Sequence, residues 1–225
     1  MAAPSSNDAH GLGGRRVVVT AGGTREPIDP VRYLGNRSSG KMGNALARAA
    51  AHAGADVTLI TTVEPPHDAA VHVVRVETAA SMARALDDAL PDASVLLMAA
   101  AVADYRPVRV SHDKIKKSAG ALILELEPTV DILTSVRDAD YRGSLFVVGF
   151  AAETSDLLAN AQKKVREKGL DLIVLNDVSR GDIAMGSDAN EVTIIDGDGV
   201  VEEVHRAPKD EVAREILRLV MQRMR

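Results

Sequence analysis

The sequence has no cysteine. That excludes disulfides, a thiolate nucleophile and any cysteine-based metal site. It has no tryptophan and only 2 phenylalanines. The core must therefore be built from Val, Ile, Leu and Ala, which suits parallel strands covered by alanine-rich helices. There is no excess of positive charge: 27 Lys and Arg stand against 32 Asp and Glu, for a net charge of -5. This argues against a general nucleic-acid binder and leaves room only for a local basic patch. No apolar run reaches the roughly 18 residues needed to span a bilayer. The first residues, Met1 to Gly14, are small and polar with no apolar core, so they do not read as a signal peptide. Residues 1–14 read as a disordered leader or linker remnant and 15–225 as one domain, in the cytoplasm. The six histidines show no metal-ligand spacing, and neither paired carboxylates nor a Ser/His/Asp arrangement stands out.

What is present is an alternation of apolar strands and helical segments. Strands are expected at Arg16–Ala21, Asp56–Thr61, Val71–Val76, Ser94–Ala99, Leu145–Phe150 and Leu170–Asn176. Helices are expected at Gly40–Gly54, Ala79–Leu90, Asp131–Arg137, Ser155–Lys168 (capped by Thr154 or Ser155) and Lys209–Arg225. Ala121–Glu127 alternates apolar and acidic residues and reads as a half-exposed strand. Asp196-Gly197-Asp198-Gly199 joins two strands as a hairpin. The pattern predicts an α/β fold: a doubly wound sheet of about five parallel strands with an antiparallel C-terminal hairpin. In such sheets ligands bind beyond the carboxyl ends of the strands.

Three stretches carry chemistry. Val17–Gly43 runs strand, Ala21-Gly22-Gly23-Thr24, a polar loop with Asn36, Arg37, Ser38, Ser39, Gly40 and Lys41, then helix. That arrangement holds phosphate, through exposed N–H groups and a helix start. It contains neither G-x-G-x-x-G nor a complete P-loop. Ala99–Arg106 ends a strand in alanines and then offers Asp104, Tyr105 and Arg106, with Lys114, Lys116 and Lys117 soon after. Asp104 suits Mg²⁺ or a nucleotide hydroxyl, and the lysines suit a triphosphate. A solvated charge run fits the lysines equally well. Gly149–Thr154 places Phe150 at a strand end, where packing in the core is favoured over stacking on a base. Lys164 and Lys168 share a helical face, either as surface charges or as a grip on one phosphate chain.

AGGTREPIDPVRYLGNRSSGKMG, AAVADYRP with KIKK, and VGFAAET, in this order and spacing, resemble bacterial phosphopantothenoylcysteine synthetase. That is the ligase half of the bifunctional coenzyme A biosynthesis decarboxylase/synthetase. The similarity runs from about Arg16 to the C-terminus. It implies a Rossmann-like fold and a homodimer, with a dimerising β-arm at Ala121–Glu127. It also implies CTP and Mg²⁺, activation of 4′-phosphopantothenate as an acyl-cytidylate, and attack by cysteine. Flavin would belong to the separate decarboxylase domain, fused or associated, and not to this chain. Neither nucleic acid nor membrane is an expected partner.

Residue by residue, Asn36 matches the asparagine of the second half-reaction and Lys114 the lysine of the first. Ala100, Asp104, Lys114, Val130, Asp131, Ile132, Leu133, Phe150, Lys164 and Lys168 fall where the family binds CTP, with Asp104 the metal candidate. Gly22, Gly23, Asn36, Arg37, Ser38, Ser39, Gly40, Lys41 and Met42 fall on the phosphopantothenate side. The chain reads Thr129-Val130-Asp131 where the family pattern is Asn-Pro-Asp. The KIKK loop is expected to cover the active site and to be mobile without ligand.

Two rival readings stand beside this one. An NAD(P)-dependent Rossmann oxidoreductase lacks support, because neither G-x-G-x-x-G nor a Tyr-x-x-x-Lys pair is present. A non-catalytic nucleotide-sensing domain is disfavoured by the presence of both Asn36 and Lys114.

Overall fold

The computed structural model describes residues 11–153, 157–177 and 187–224. In chain order the strands are β1 (Arg16–Ala21), β2 (Arg25–Pro27), β3 (Tyr33–Gly35), β4 (Asp56–Thr61), β5 (His72–Arg75) and β6 (Val95–Met98). They continue as β7 (Tyr105–Pro107), β8 (Leu126–Pro128), β9 (Phe146–Glu153), β10 (Leu172–Asp177), β11 (Ala189–Ile195) and β12 (Val200–Pro208). The helices are α1 (Lys41–His52), α2 (Ala79–Ala89), α3 (Ile132–Arg137), α4 (Leu157–Lys168) and α5 (Lys209–Arg223).

Eight strands form one sheet in the order β12-β11-β10-β9-β6-β1-β4-β5. The run from β5 to β10 is parallel throughout, making six parallel strands where about five were expected. β11 and β12 add the antiparallel edge that the Asp-Gly turn predicts. The chain is thus a mainly parallel α/β sheet with helices on both faces.

The period of 2 along each strand splits the core. Val17, Val19 and Ala21 of β1 face α1 and α5, together with Leu46, Ile216 and Val220. Val18 faces the other way with Leu96, Met98 and Ile173, against Met82 and Leu86 of α2 and Val165 of α4. Each large aliphatic side chain so buried contributes about 1.5–3 kcal/mol. Glycine lets α1 approach: a Cβ on Gly43 would stand 2.6 Å from Ala21 Cβ and 2.7 Å from the Thr20 carbonyl oxygen.

Three expectations are corrected. Leu12, placed in the leader, is buried at 1% exposure and its N–H donates to the Ala53 carbonyl at 3.3 Å. Ala121–Glu127 is not a strand along its length: the strand here is Leu126–Pro128, antiparallel to β7, and among the described residues no second strand lies beside 121–125. Short β2 and β3 pair as a hairpin within the segment read as a polar loop. The Asp29-Pro30 turn signal between them is what marks it. Thr154 and Ser155, expected to cap α4, lie outside the described residues. Among the described residues no helix is long and apolar enough to cross a membrane.

Candidate functional site

The carboxyl ends of β1 and β6 are stitched together. Ala101 N–H donates to the Gly22 carbonyl at 2.8 Å, and Thr24 N–H donates to the Ala101 carbonyl at 3.1 Å. The Thr20 hydroxyl accepts from Ala100 N–H at 3.0 Å, and the Thr24 hydroxyl accepts from Ala103 N–H at 2.8 Å. The glycine turn and the alanine run, far apart in sequence, thus form one platform. The loop after β3 passes directly over it: a Cβ on Gly23 would stand 2.6 Å from the Asn36 carbonyl oxygen. Only glycine allows that approach. Asn36 Nδ2 then donates to the Val102 carbonyl at 3.1 Å, which orients the exposed amide on the rim.

Beside the platform lies a cavity of about 460 Å³. Ala100, Asp104, Val130, Asp131, Ile132, Leu133, Phe150, Lys164 and Lys168 all line it. The fold therefore gathers nine of the ten positions assigned to CTP around one space. Phe150 is half-buried and does two things: it packs on the α1-side core and lines this cavity. Asp131 caps α3, its Oδ1 accepting from Thr134 N–H at 3.1 Å, while its Oδ2 pairs with Lys168. Burial opposes the Asp131 charge, but Lys168 and the Thr134 N–H outweigh it and hold the carboxyl below its ordinary range. Thr129, where the family pattern has asparagine, ties the rim: its hydroxyl donates to the Ala103 carbonyl at 2.5 Å and its N–H to the Asp104 carbonyl at 2.9 Å.

Lys114 is the exception. It is exposed and is not among the residues lining this cavity. The positions assigned to phosphopantothenate also divide. Gly22 and Gly23 follow the carboxyl end of central β1, the loop residues Asn36, Arg37, Ser38 and Ser39 run between β3 and α1, and Gly40 starts α1 with φ 71°. Lys41 instead pairs with Asp188 at 2.6 Å and lines a second cavity of about 420 Å³ with Asn44, Arg48, Lys209 and Asp210. Met42 packs against the core. In the second cavity burial, with Lys41 nearby, pushes the Lys209 ammonium below its usual range.

Asp104 and Asp131 are the two carboxylates lining this cavity, Asp131 already paired with Lys168, and the described residues hold no cluster of three or more His, Cys, Asp or Glu. That suits Mg²⁺, which takes one or two carboxylates and completes its shell with water and substrate phosphates. Asn176 stands near the carboxyl end of β10, one of the strand ends where ligands are expected, but is not among the residues lining the cavity. Its buried Oδ1 has no hydrogen-bond partner, a costly state that a ligand donor would relieve.

The chain matches the family model of the DNA/pantothenate metabolism flavoprotein C-terminal domain over residues 12–224. It is 46% identical over 217 residues to the coenzyme A biosynthesis bifunctional protein CoaBC of Mycobacterium tuberculosis, covering 92% of this chain and 52% of that protein. It is 41% identical over 213 residues to a cysteine/cysteine sulfinic acid decarboxylase of an unknown prokaryotic organism, covering 93% of this chain and 59% of the relative. The chain spans little more than half the length of these relatives. The crystal structure of the C-terminal domain of a CoaBC protein superposes with a TM-score of 0.79 at 40% identity, covering 96% of this chain and 98% of that one. The chain belongs to the DNA/pantothenate metabolism flavoprotein C-terminal domain family and corresponds to the C-terminal domain of the CoaBC proteins.

Proposed function

We propose that the chain is a cytoplasmic ligase of coenzyme A biosynthesis, joining 4′-phosphopantothenate to cysteine at the expense of CTP. The observation that carries this reading is the convergence at the carboxyl ends of the central strands: an apolar cavity with lysines on its wall, and beside it the oriented Asn36 amide. The cavity takes the nucleotide. Phe150 and the Ala100 backbone meet the base, and Lys164 and Lys168 neutralise the phosphates. The Asp104 carboxylate, with the triphosphate, holds Mg²⁺, whose charge offsets that of the phosphates. The acyl substrate lies on the glycine platform under the loop of Asn36 to Ser39.

In the first half-reaction a carboxylate oxygen of phosphopantothenate attacks the α-phosphorus of CTP, and the α–β bridging P–O bond breaks. Pyrophosphate leaves with the electron pair, and an acyl-cytidylate remains. Lys114 stabilises the charge on the departing pyrophosphate when its segment closes over the cavity. In the second, the cysteine amine attacks the acyl carbon. The Asn36 amide donates to the oxygen that becomes negative, and CMP leaves as the amide forms. This chemistry needs positioning and charge neutralisation more than covalent help from the protein.

Apolar side chains left exposed along 108–126, Ile123 at 88% among them, support a homodimer joined through this segment. A flavin-dependent decarboxylase domain, fused or associated, completes the longer relatives' plan.

Pyrophosphate release that requires both CTP and 4′-phosphopantothenate is the expected result. Its absence in folded protein at high substrate would overturn the reading. A melting shift with NADH and none with CTP and Mg²⁺ would do the same. Asn36→Asp is expected to accumulate acyl-cytidylate, visible by mass spectrometry of a quenched reaction, without forming the amide.

A further inference from the structure

The turn between β2 and β3 contains a carboxylate bonded beyond what the turn requires. Asp29 is buried at 3% exposure. Its Oδ1 accepts from the N–H groups of Val31 and Arg32, both at 2.9 Å, which is a complete Asx turn. Its Oδ2 accepts from Arg32 Nε at 2.9 Å and from Arg32 Nη2. The same Oδ2 also reaches across the fold to Ile115 N–H at 3.1 Å. Arg32 Nη2 closes the figure by donating to the Ile115 carbonyl at 2.7 Å. Both backbone groups of Ile115 are thus held by one ion pair. Just before it, Ser111 N–H donates to the Ile28 carbonyl at 3.0 Å.

The hairpin that makes this grip is itself anchored. Arg25 N–H donates to the Glu77 carbonyl at 2.8 Å. The buried Glu26 accepts from Ala79 N–H at 2.8 Å, at the start of α2. A continuous chain of hydrogen bonds therefore runs from α2 through the hairpin to the residue after Lys114. Beyond it, the exposed segment around Lys114 is held at Ser111, by Val108 N–H donating to the Glu125 carbonyl at 3.0 Å, and by the short β7–β8 pairing.

We propose that Asp29 is a positioning residue for Lys114: it fixes the root of the lysine segment so that the ammonium arrives over the cavity in one place. This inference rests on the role given to Lys114 in the proposed function. The pair also explains a feature of the sequence, since a turn needs an Asp-Pro start but not an arginine three residues on.

The test uses the 225-residue protein and three single variants. Asp29→Asn keeps an acceptor for the turn but sets an amide NH₂ against the donors of Arg32 or Ile115. Asp29→Glu keeps the charge and moves it by one methylene, which guards against a misfolded first variant. Lys114→Gln removes the ammonium. The expected result for Asp29→Asn is a roughly 10- to 100-fold lower kcat for pyrophosphate release. KM for CTP should change little, because the cavity is untouched. Trypsin should cut faster after Lys114, Lys116 and Lys117, a readout independent of activity. The double variant Asp29→Asn, Lys114→Gln should be no slower than Lys114→Gln alone.

Wild-type release in both Asp29 variants while Lys114→Gln is slow would overturn the positioning role and leave the proposed function standing. Losses that multiply in the double variant would also overturn it, because Asp29 would then act through something other than Lys114. A wild-type rate in Lys114→Gln itself would place the failure in the reading of Lys114, and the positioning role would fall with it.

Discussion

The glycine loop over β1 and the lysine segment at 108–125 are both read as parts of one site, yet they are held in opposite ways. The loop lies on a platform of hydrogen bonds between β1 and β6, with no room for a single added carbon at Gly23. The lysine segment carries no strand between Pro107 and Leu126, exposes Ile123, and is gripped at Ser111 and Ile115. A group that must be oriented before substrate arrives belongs on the first kind of support. A group that must approach bound phosphates belongs on the second.

The rigid support is most sensitive to substitution at Gly23. Gly23→Ala should displace the Asn36 loop and lower amide formation by about 100-fold, the scale expected for an ångström of misplacement. A near-parent rate would mean that the platform is looser than its contacts suggest. Gly43→Ala tests the same rigidity through stability. With Ala21 and the Thr20 carbonyl in the way, it should cost about 1–3 kcal/mol in urea denaturation.

On the other side, Lys168→Met removes a wall cation and the partner of Asp131. KM for CTP should rise roughly 10-fold, the equivalent of about 1.4 kcal/mol. An unchanged KM would take Lys168 out of the nucleotide site. Ile123→Asp should give monomers in light scattering without altering the helical signal of circular dichroism, since Ile123 packs in neither core cluster. A persisting dimer would move the interface elsewhere.

The smallest effect is in pH. The Asp131 carboxyl is held below its ordinary range, so its pairing stabilises the fold above about pH 3.9, the unfolded value. That contribution is lost as pH falls through the lower folded value. Asp131→Asn should therefore melt slightly below the parent at neutral pH and converge with it in acid. A gap independent of pH would assign the difference to the α3 cap alone.

Much of this was legible in the residues. β1 and β4 fall where their apolar runs lie, because a strand buried on both faces needs nothing but continuous Val, Leu, Ile and Thr. The residues lining the 460 Å³ cavity were named by the family resemblance, and the doubly wound order accounts only for the strand ends among them lying on one side of the sheet. Ala121–Glu127 misled for a complementary reason: alternation describes a strand only where a neighbour exists to pair with it. Leu12 was hidden because one leucine between glycines has no periodicity to announce burial.

The α/β class, the antiparallel end and the three chemical stretches follow from the sequence, since periodicity, turn residues and helix starts are local properties. Tertiary structure alone decided what those motifs share. It joined Gly22 and Gly23 to Ala100 and Ala101, set Asn36 against the Val102 carbonyl, and tied Ile115 to Asp29 across the fold. The physical reason is that a hydrogen bond between distant segments depends on strand order and register, which no local pattern encodes.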